Sequence, residues 1–282
     1  MKPPTPGMGT ERNWGAVLKR SSFGPAALLL DRQARADLSV FYGYCRAIDD
    51  CADEFKPDEA RGHLRLWKRE LELLAKGRPA TDLGRSLEEL CARRKVPAGL
   101  LMDLWQGASS DARPAVRFKT WASVRAYCYQ VAGSVGLVCL PIFDLDLDRA
   151  GAYARALGEA FQLINILRDV REDASLGRLY FALEDLERHG LAPEEFMAGK
   201  GGARAQRLIY AYAWRARAAL RTADAEAGSL PAKGLRPSRM MRAIYGGLLE
   251  RMSSDSFRVF EKRYSLGPWR KRWVVVRGLV AA

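Results

Sequence analysis

The stretch Phe161-Gln162-Leu163-Ile164-Asn165-Ile166-Leu167-Arg168-Asp169-Val170-Arg171-Glu172-Asp173 decides how the rest of the chain is read. Gln162, Asn165, Asp169 and Asp173 are spaced three, four and four apart, so in a helix they share one face, and Phe161, Leu163, Ile164 and Ile166 make their surroundings apolar. Amides and carboxylates in such a setting are costly to desolvate unless each meets a partner. A second segment, Arg46-Ala47-Ile48-Asp49-Asp50-Cys51-Ala52-Asp53-Glu54, closes an apolar run from Leu38 to Ile48 and repeats the pattern, with Asp49 and Asp53 four apart. Two carboxylates one turn apart repel and weaken a helix. Something cationic should therefore sit between them. Hard divalent cations take oxygen ligands, and Mg²⁺ is usually held by one or two carboxylates together with phosphate oxygens. The two segments predict a metal-diphosphate site walled by facing helices. With 33 Asp and Glu among 282 residues, chance alone gives about four acidic pairs at this spacing, most of them solvated helix faces. What singles these two out is the repetition, in similar apolar contexts, each with an arginine close by (Arg46, Arg168).

Outward from these segments, apolar residues keep helical spacing, as in Leu64, Leu66-Trp67, Leu71 and Leu73-Leu74, or Ala152, Ala154, Leu157 and Ala160. Alternating, strand-like runs are scarce. Helix-breaking residues fall between the periodic blocks at Gly77 to Pro79, Pro97 to Gly99, Gly190 to Pro193, Gly199 to Gly202 and Lys233 to Pro237. The expectation is an all-α bundle with its site built in the core from facing helices. No Pro/Gly/Ser-rich linker divides the chain, so it reads as one helical domain over 15–282 behind a loose leader over 1–14, where Pro3, Pro4 and Pro6 cluster.

Five cysteines (Cys45, Cys51, Cys91, Cys128, Cys139) lack zinc-ligand spacing, and no secretory signal is visible. They read as reduced core residues of a cytoplasmic protein. His63 and His189 fall in no motif, which argues against histidine-based catalysis. The net charge of +13 suits a polyanionic substrate, an anionic membrane face or nucleic acid. The basic residues are spread rather than gathered into an aromatic-interleaved stripe, so nucleic acid is not expected. Nor is any obligate protein partner evident. The tail Trp269-Arg270-Lys271-Arg272-Trp273-Val274-Val275-Val276-Arg277 has the composition of a segment lying at a bilayer interface, and equally that of a terminal helix with a solvated basic face. It is too short and too charged to span a bilayer.

Four blocks, in order, carry a resemblance: Ser22-Phe23 with Leu28-Leu29-Leu30 and Arg35; Tyr42 and Tyr44-Cys45-Arg46 leading into Asp49 to Asp53; Tyr127-Cys128-Tyr129-Gln130-Val131-Ala132-Gly133-Ser134-Val135-Gly136; and Phe161 to Val170, continuing through Glu172-Asp173-Ala174 to Gly177-Arg178-Leu179-Tyr180. From about Ser21 to Arg263 the chain resembles the squalene/phytoene synthases, which join two prenyl diphosphates head to head. The resemblance implies a single-domain helical bundle of the class I isoprenoid synthase type with a central cavity. It implies that Asp49, Asp53, Asp169 and Asp173 hold Mg²⁺ (or Mn²⁺) against diphosphate, and that Gln162 and Asn165 line the cavity. Arg168, Arg178 and Tyr180 would complete a phosphate clamp, with a solvated turn residue the bland alternative for Arg178. Ser22 would reach phosphate and Phe23 would wall the hydrocarbon tunnel; Tyr42 joins them as a substrate contact. Arg46, a turn before Asp49 and Asp50, could take phosphate or anchor a carboxylate. Val131, Ala132 and Gly136 would leave room for prenyl chains. Gly133 and Gly136 cost a helix up to about 1 kcal/mol each relative to Ala, so close packing or a ligand must account for them. Tyr129 could stabilise a carbocation through its ring face or be a plain core tyrosine.

The reaction implied is Mg²⁺-dependent condensation of two prenyl diphosphates through a cyclopropylcarbinyl diphosphate. The Tyr127 to Gly133 block leans toward a phytoene synthase acting on two geranylgeranyl diphosphates. The alternatives are a presqualene diphosphate synthase or a squalene synthase acting on farnesyl diphosphate, the last alone requiring NADPH. A non-catalytic lipid-binding or assembly factor with this fold is disfavoured by the intact Asp pairs, and a terpene cyclase usually mixes Asn, Ser and Glu in its second metal motif. Substrates this apolar suit a cytoplasmic enzyme in peripheral contact with the inner membrane face. Two departures from the family pattern stand out: Asp31 and Ala182 occupy positions where proline is common.

Overall fold

The computed structural model describes residues 5, 6, 8, 14–21 and 23–266. Its helices are α1 (Trp14–Arg20), α2 (Gly24–Ala27), α3 (Arg32–Asp53), α4 (Pro57–Leu74), α5 (Asp82–Arg94), α6 (Gly99–Asp111), α7 (Trp121–Cys128), α8 (Ser134–Ile142), α9 (Leu147–Ser175), α10 (Leu183–Arg188), α11 (Pro193–Met197), α12 (Gly202–Glu226) and α13 (Ala232–Ser254). Several start where a short polar side chain takes up an orphan backbone N–H. Asp31 accepts from Ala34 N at 2.8 Å, Thr81 from Gly84 N at 2.9 Å and Asp146 from Arg149 N at 2.9 Å, while Thr120 and Ser123 form a reciprocal capping box on α7.

The bundle is helical as expected, and the structure adds what periodicity did not show. Among the described residues two short strands, β1 (Val116–Phe118) and β2 (Arg178–Ala182), pair in parallel with Val116 opposite Arg178. They are too short to display an alternating pattern. The block Tyr127 to Gly136 is not one regular helix: Tyr129–Gly133 form a π-helical turn between α7 and α8. Wide turns of this kind re-aim the side chains that follow and recur at functional sites. The break expected at Lys233 to Pro237 lies earlier, at Ala227–Ser229 and the residues before Ala232, and Pro237 sits inside α13. Only one helical hydrogen bond is forfeited there, close to the helix start, where several N–H groups lack intrahelical partners anyway. Part of the expected loose leader is held down, since the Pro6 carbonyl accepts from buried Trp67 Nε1 at 3.0 Å and Thr5 Oγ1 lies 2.8 Å from His63 Nδ1.

Two hydrophobic clusters build the interior. One joins α1 to α6 and takes in Val138, Cys139 and Ile142 of α8; the other joins α7 to α13 around Leu163, Ile166, Leu208 and Tyr212. The central cavity lies between them, drawing Tyr42, Cys45 and Val135 from the first side and Val131, Phe161 and Tyr245 from the second. Among the described residues no helix is long and apolar enough to cross a membrane.

Candidate active site

Helices α3 and α9 bring the two Asp pairs into one chamber, as expected from the sequence. Asp49, Asp53, Asp169 and Asp173 line a polar cavity of about 280 Å³ together with Gln162, Asn165, Arg168, Arg178 and Tyr180. This chamber opens into a second, largely apolar one of about 330 Å³, lined by Phe23, Tyr42, Val131, Ala132, Gly136, Leu157 and Phe161 among others. Asp49, Ala108, Asp111, Tyr127, Gln162 and Asn165 face both, so the two are continuous.

The electrostatics show carboxylates held against their preference. Burial, then the charge of Asp53, pushes Asp49 up to about 7 despite Arg46 nearby. Burial, then the charge of Asp169, pushes Asp173 up to about 8 against the opposing pull of Arg178. Arginines compensate in part. Arg178 donates to Asp53 Oδ1 at 2.9 Å and to the Ala52 carbonyl at 3.4 Å, so it bridges from β2 to α3 rather than dangling in a turn. Arg168 grips Asp169, its Nε 2.8 Å from Oδ1, and Arg263 reaches the same oxygen at 2.9 Å. The Asn165 amide donates to Gln162 Oε1 at 3.4 Å, which leaves buried Asn165 Oδ1 without a partner.

Oxygen donors alone, repelling carboxylates, and an orphaned amide oxygen fit a hard divalent cation. Among the described residues no three carboxylate, imidazole or thiol groups converge closely enough to hold one by themselves. A cation here would need further oxygen donors from a bound ligand, and the arginines at the rim suit an anionic one.

Not every expected residue enters the chambers. Arg46 lines neither; it pairs with Asp50 one turn on, whose carboxylate is 2% exposed and needs that partner, so of its two readings the structure takes the carboxylate anchor. Tyr129 also lines neither, because the π-helical turn directs its hydroxyl to Asp103 Oδ2 on α6 at 2.8 Å. The cation-facing role expected of Tyr129 is therefore not supported by its position. Among the aromatic residues that do line the apolar chamber, Phe161 and Tyr245 are stacked with centroids 4.2 Å apart. Ser22 lies outside the described residues. Packing explains Gly136, where a side chain would approach the Ala154 carbonyl to 3.1 Å; the Gly133 backbone lies against Gly158 of α9, but a side chain on Gly133 would first meet the Tyr129 ring, at 3.0 Å.

Sequence reasoning missed Asp111. It ends α6 and accepts from Tyr180 Oη at 2.6 Å and Tyr127 Oη at 2.9 Å, with the two rings stacked at 5.1 Å. Burial raises it to about 6 in spite of those two hydrogen bonds. Its partners are 16 and 69 positions away, so no local spacing signals it. The two departures from the family pattern have local causes. Asp31 caps α3, and Ala182 donates its N–H to buried Tyr212 Oη at 2.8 Å, a bond that proline could not make.

With this geometry in hand, the comparisons are specific. The profile of the squalene/phytoene synthase family matches residues 18–270. A phytoene synthase of Thermus thermophilus is 32% identical over 279 residues, covering 96% of this chain and 94% of the relative. A presqualene diphosphate synthase of Zymomonas mobilis is 28% identical over 261 residues, covering 92% and 89%. Among solved structures, a dehydrosqualene synthase in complex with ligand superposes with a TM-score of 0.85 at 25% identity over 95% of this chain and 94% of that one.

Proposed function

The chain belongs to the squalene/phytoene synthase family, a class I isoprenoid synthase fold, and from that premise we propose that it condenses two geranylgeranyl diphosphates head to head into phytoene, releasing diphosphate. It is a prenyltransferase, and its family uses Mg²⁺ with prenyl diphosphates. The observation that carries the reading is the continuity of a polar, carboxylate-walled chamber with an apolar tunnel: one end matches a diphosphate and the other a hydrocarbon. Along α9 the tunnel runs from Asn165 to Tyr153, twelve positions or about 18 Å of helix. Carbon–carbon bonds of about 1.5 Å give each prenyl unit, with four of its five carbons in the main chain, an advance of roughly 5 Å, so four units reach the end of the tunnel and three stop short of it.

The side chains divide the work. Arg178 and Arg168 place guanidinium groups beside the diphosphate position, and Tyr180 is fixed on Asp111 at its edge. Asp49, Asp53, Asp169 and Asp173, with Asn165 Oδ1, would hold Mg²⁺, which when bound neutralises the leaving diphosphate and eases ionisation of the allylic C–O bond. Phe23, Val131, Ala132, Gly136 and Phe161 exclude water from the cation that results, and the stacked Phe161 and Tyr245 rings offer it π faces. Incubating the protein with Mg²⁺ and either C15 or C20 diphosphate, with and without NADPH, followed by product mass analysis, tests the proposal. Phytoene from C20 without reductant is the expected result. Presqualene diphosphate from C15 would favour the alternative that the 28% identity to a presqualene diphosphate synthase keeps in play, and squalene appearing only with NADPH would favour a reductive enzyme.

Contact with an anionic bilayer is part of the same reading. The basic, Trp-containing tail lies outside the described residues, but α12 presents a surface of like composition: Arg207, Tyr210, Trp214 and Arg221 recur at intervals of three, four and seven, with Tyr210 44% and Trp214 64% exposed. Arginine attracts acidic lipid and tryptophan sits at headgroup level. Deleting the tail and substituting Trp214→Ala should each weaken sedimentation with acidic vesicles, in a salt-dependent way, without loss of turnover on detergent-dispersed substrate.

A further inference from the structure

We infer that Tyr153 is the stop that sets how long a prenyl chain the tunnel accepts, an inference that rests on the prenyl diphosphate reading above. Tyr153 is 3% exposed, yet it borders two cavities. On one side is the apolar tunnel, whose far end it forms with Ser238 and Met241. On the other is a separate pocket of about 260 Å³ between α9, α12 and α13, lined by Asp224, Arg239 and Arg242. The wall between the tunnel's end and this outer pocket includes one phenol ring, pinned across the gap where Tyr153 Oη donates to Ser238 Oγ at 2.8 Å. Ser238 is itself held, donating to the Leu235 carbonyl at 2.9 Å. The ring therefore spans from α9 to α13, held in place by its packing as well as by this bond.

The two sides differ in character, which makes the ring a boundary rather than filler. Tunnel residues next to it, Ala154 and Leu157, are apolar. Beyond it Arg242 holds Asp224 in a two-point ion pair at 3.0 and 2.8 Å. A fifth prenyl unit would meet the ring first and charge behind it. Removing the ring opens a passage for that unit; removing only the hydroxyl does not.

The test is calorimetric binding, with Mg²⁺ present, of non-hydrolysable thiodiphosphates carrying three, four and five prenyl units. Wild-type protein should lose about tenfold or more in affinity between four and five units, because the fifth unit must overpack the fixed ring or push the rest of the chain out of its place. Tyr153→Ala should abolish most of that drop, and Tyr153→Phe should keep it. Should Tyr153→Ala melt below the assay temperature, Tyr153→Leu, which removes the ring but keeps part of its volume, replaces it with the same expectation. A five-unit ligand binding wild type as tightly as the four-unit one overturns the stop, as does an unchanged drop in the folded ring-deletion variant. Wild-type protein that binds none of the three overturns the functional reading itself, an outcome distinct from either.

Discussion

Replacing Gly158 by Ala should destabilise the protein and damage catalysis out of proportion, because α9 and the π-helical turn touch backbone to backbone at that point. An ideal Cβ on Gly158 would lie 2.7 Å from the Ala132 carbonyl carbon and 2.7 Å from both Gly133 Cα and N. Carbon atoms prefer about 3.5–4.0 Å, so the two segments must separate by roughly 1 Å. Overpacking of this kind costs about 1–3 kcal/mol, and since the obstruction is backbone the upper half of that range applies. The better helix propensity of Ala returns about 1 kcal/mol. The net loss of about 1–2 kcal/mol corresponds to a Tm fall of roughly 2–8 °C for a chain of this size. Gly151→Ala on the same helix is the control: its Cβ meets only the Arg155 guanidinium, at 3.0 Å, which can move, so it should be neutral or slightly stabilising. Ala132 and Gly158 both line the apolar chamber, and Gln162 is one turn further along α9. A displacement near 1 Å there should lower kcat/KM by about tenfold or more at 25 °C, where both variants are folded. Calorimetric melts beside steady-state turnover decide the matter. Equal melting of the two variants, or unchanged kcat/KM in Gly158→Ala, would refute the close-approach argument.

Other expectations follow from the same geometry. Asp173→Asn should lower turnover by orders of magnitude while leaving the melting curve intact or raised, since it removes one of several repelling carboxylates; near-normal turnover would sink the metal assignment. In chelator, the stability of the metal-free protein should fall as pH rises from about 4 toward 8: Asp49 at about 7 and Asp173 at about 8 stand above the ordinary 3.8, so the folded state binds more protons than the unfolded state across that window. Mg²⁺ together with a diphosphate analogue should reverse that slope and raise Tm beyond the sum of the separate effects, whereas strictly additive shifts in calorimetry would argue against a shared site. Ala182→Pro fits the backbone, with φ at −62°, but deletes the N–H donated to Tyr212; it should cost about 1 kcal/mol in wild type and become neutral or stabilising in Tyr212→Phe, as a double-mutant cycle of melts would show.

The bundle and half of the site were legible in the sequence because they are local. Gln162, Asn165, Asp169 and Asp173 lie on one helix, and so do Asp49 and Asp53, so a period of 3.6 residues suffices to predict which side chains share a face. That the two faces meet was an expectation drawn from the repeated pattern, and the fold alone brings them together. What the sequence could not supply depends on contacts between distant segments. Asp111 joins the site only because α6 ends beside β2 and α7, which brings Tyr180 and Tyr127 to its two oxygens. Arg46 and Tyr129 each carried two readings in the sequence, and only the fold shows their contacts: Arg46 pairs with buried Asp50, and the Tyr129 hydroxyl donates to Asp103. Arg178 acquires its role from a strand of five residues, too short for alternation to reveal, pairing with a partner 62 positions earlier. Tyr153 carries no motif at all; packing between α9 and α13 alone places its ring across the end of the tunnel. Periodicity fixes which way a side chain points from its own helix, and only the folded arrangement of helices fixes what it finds there.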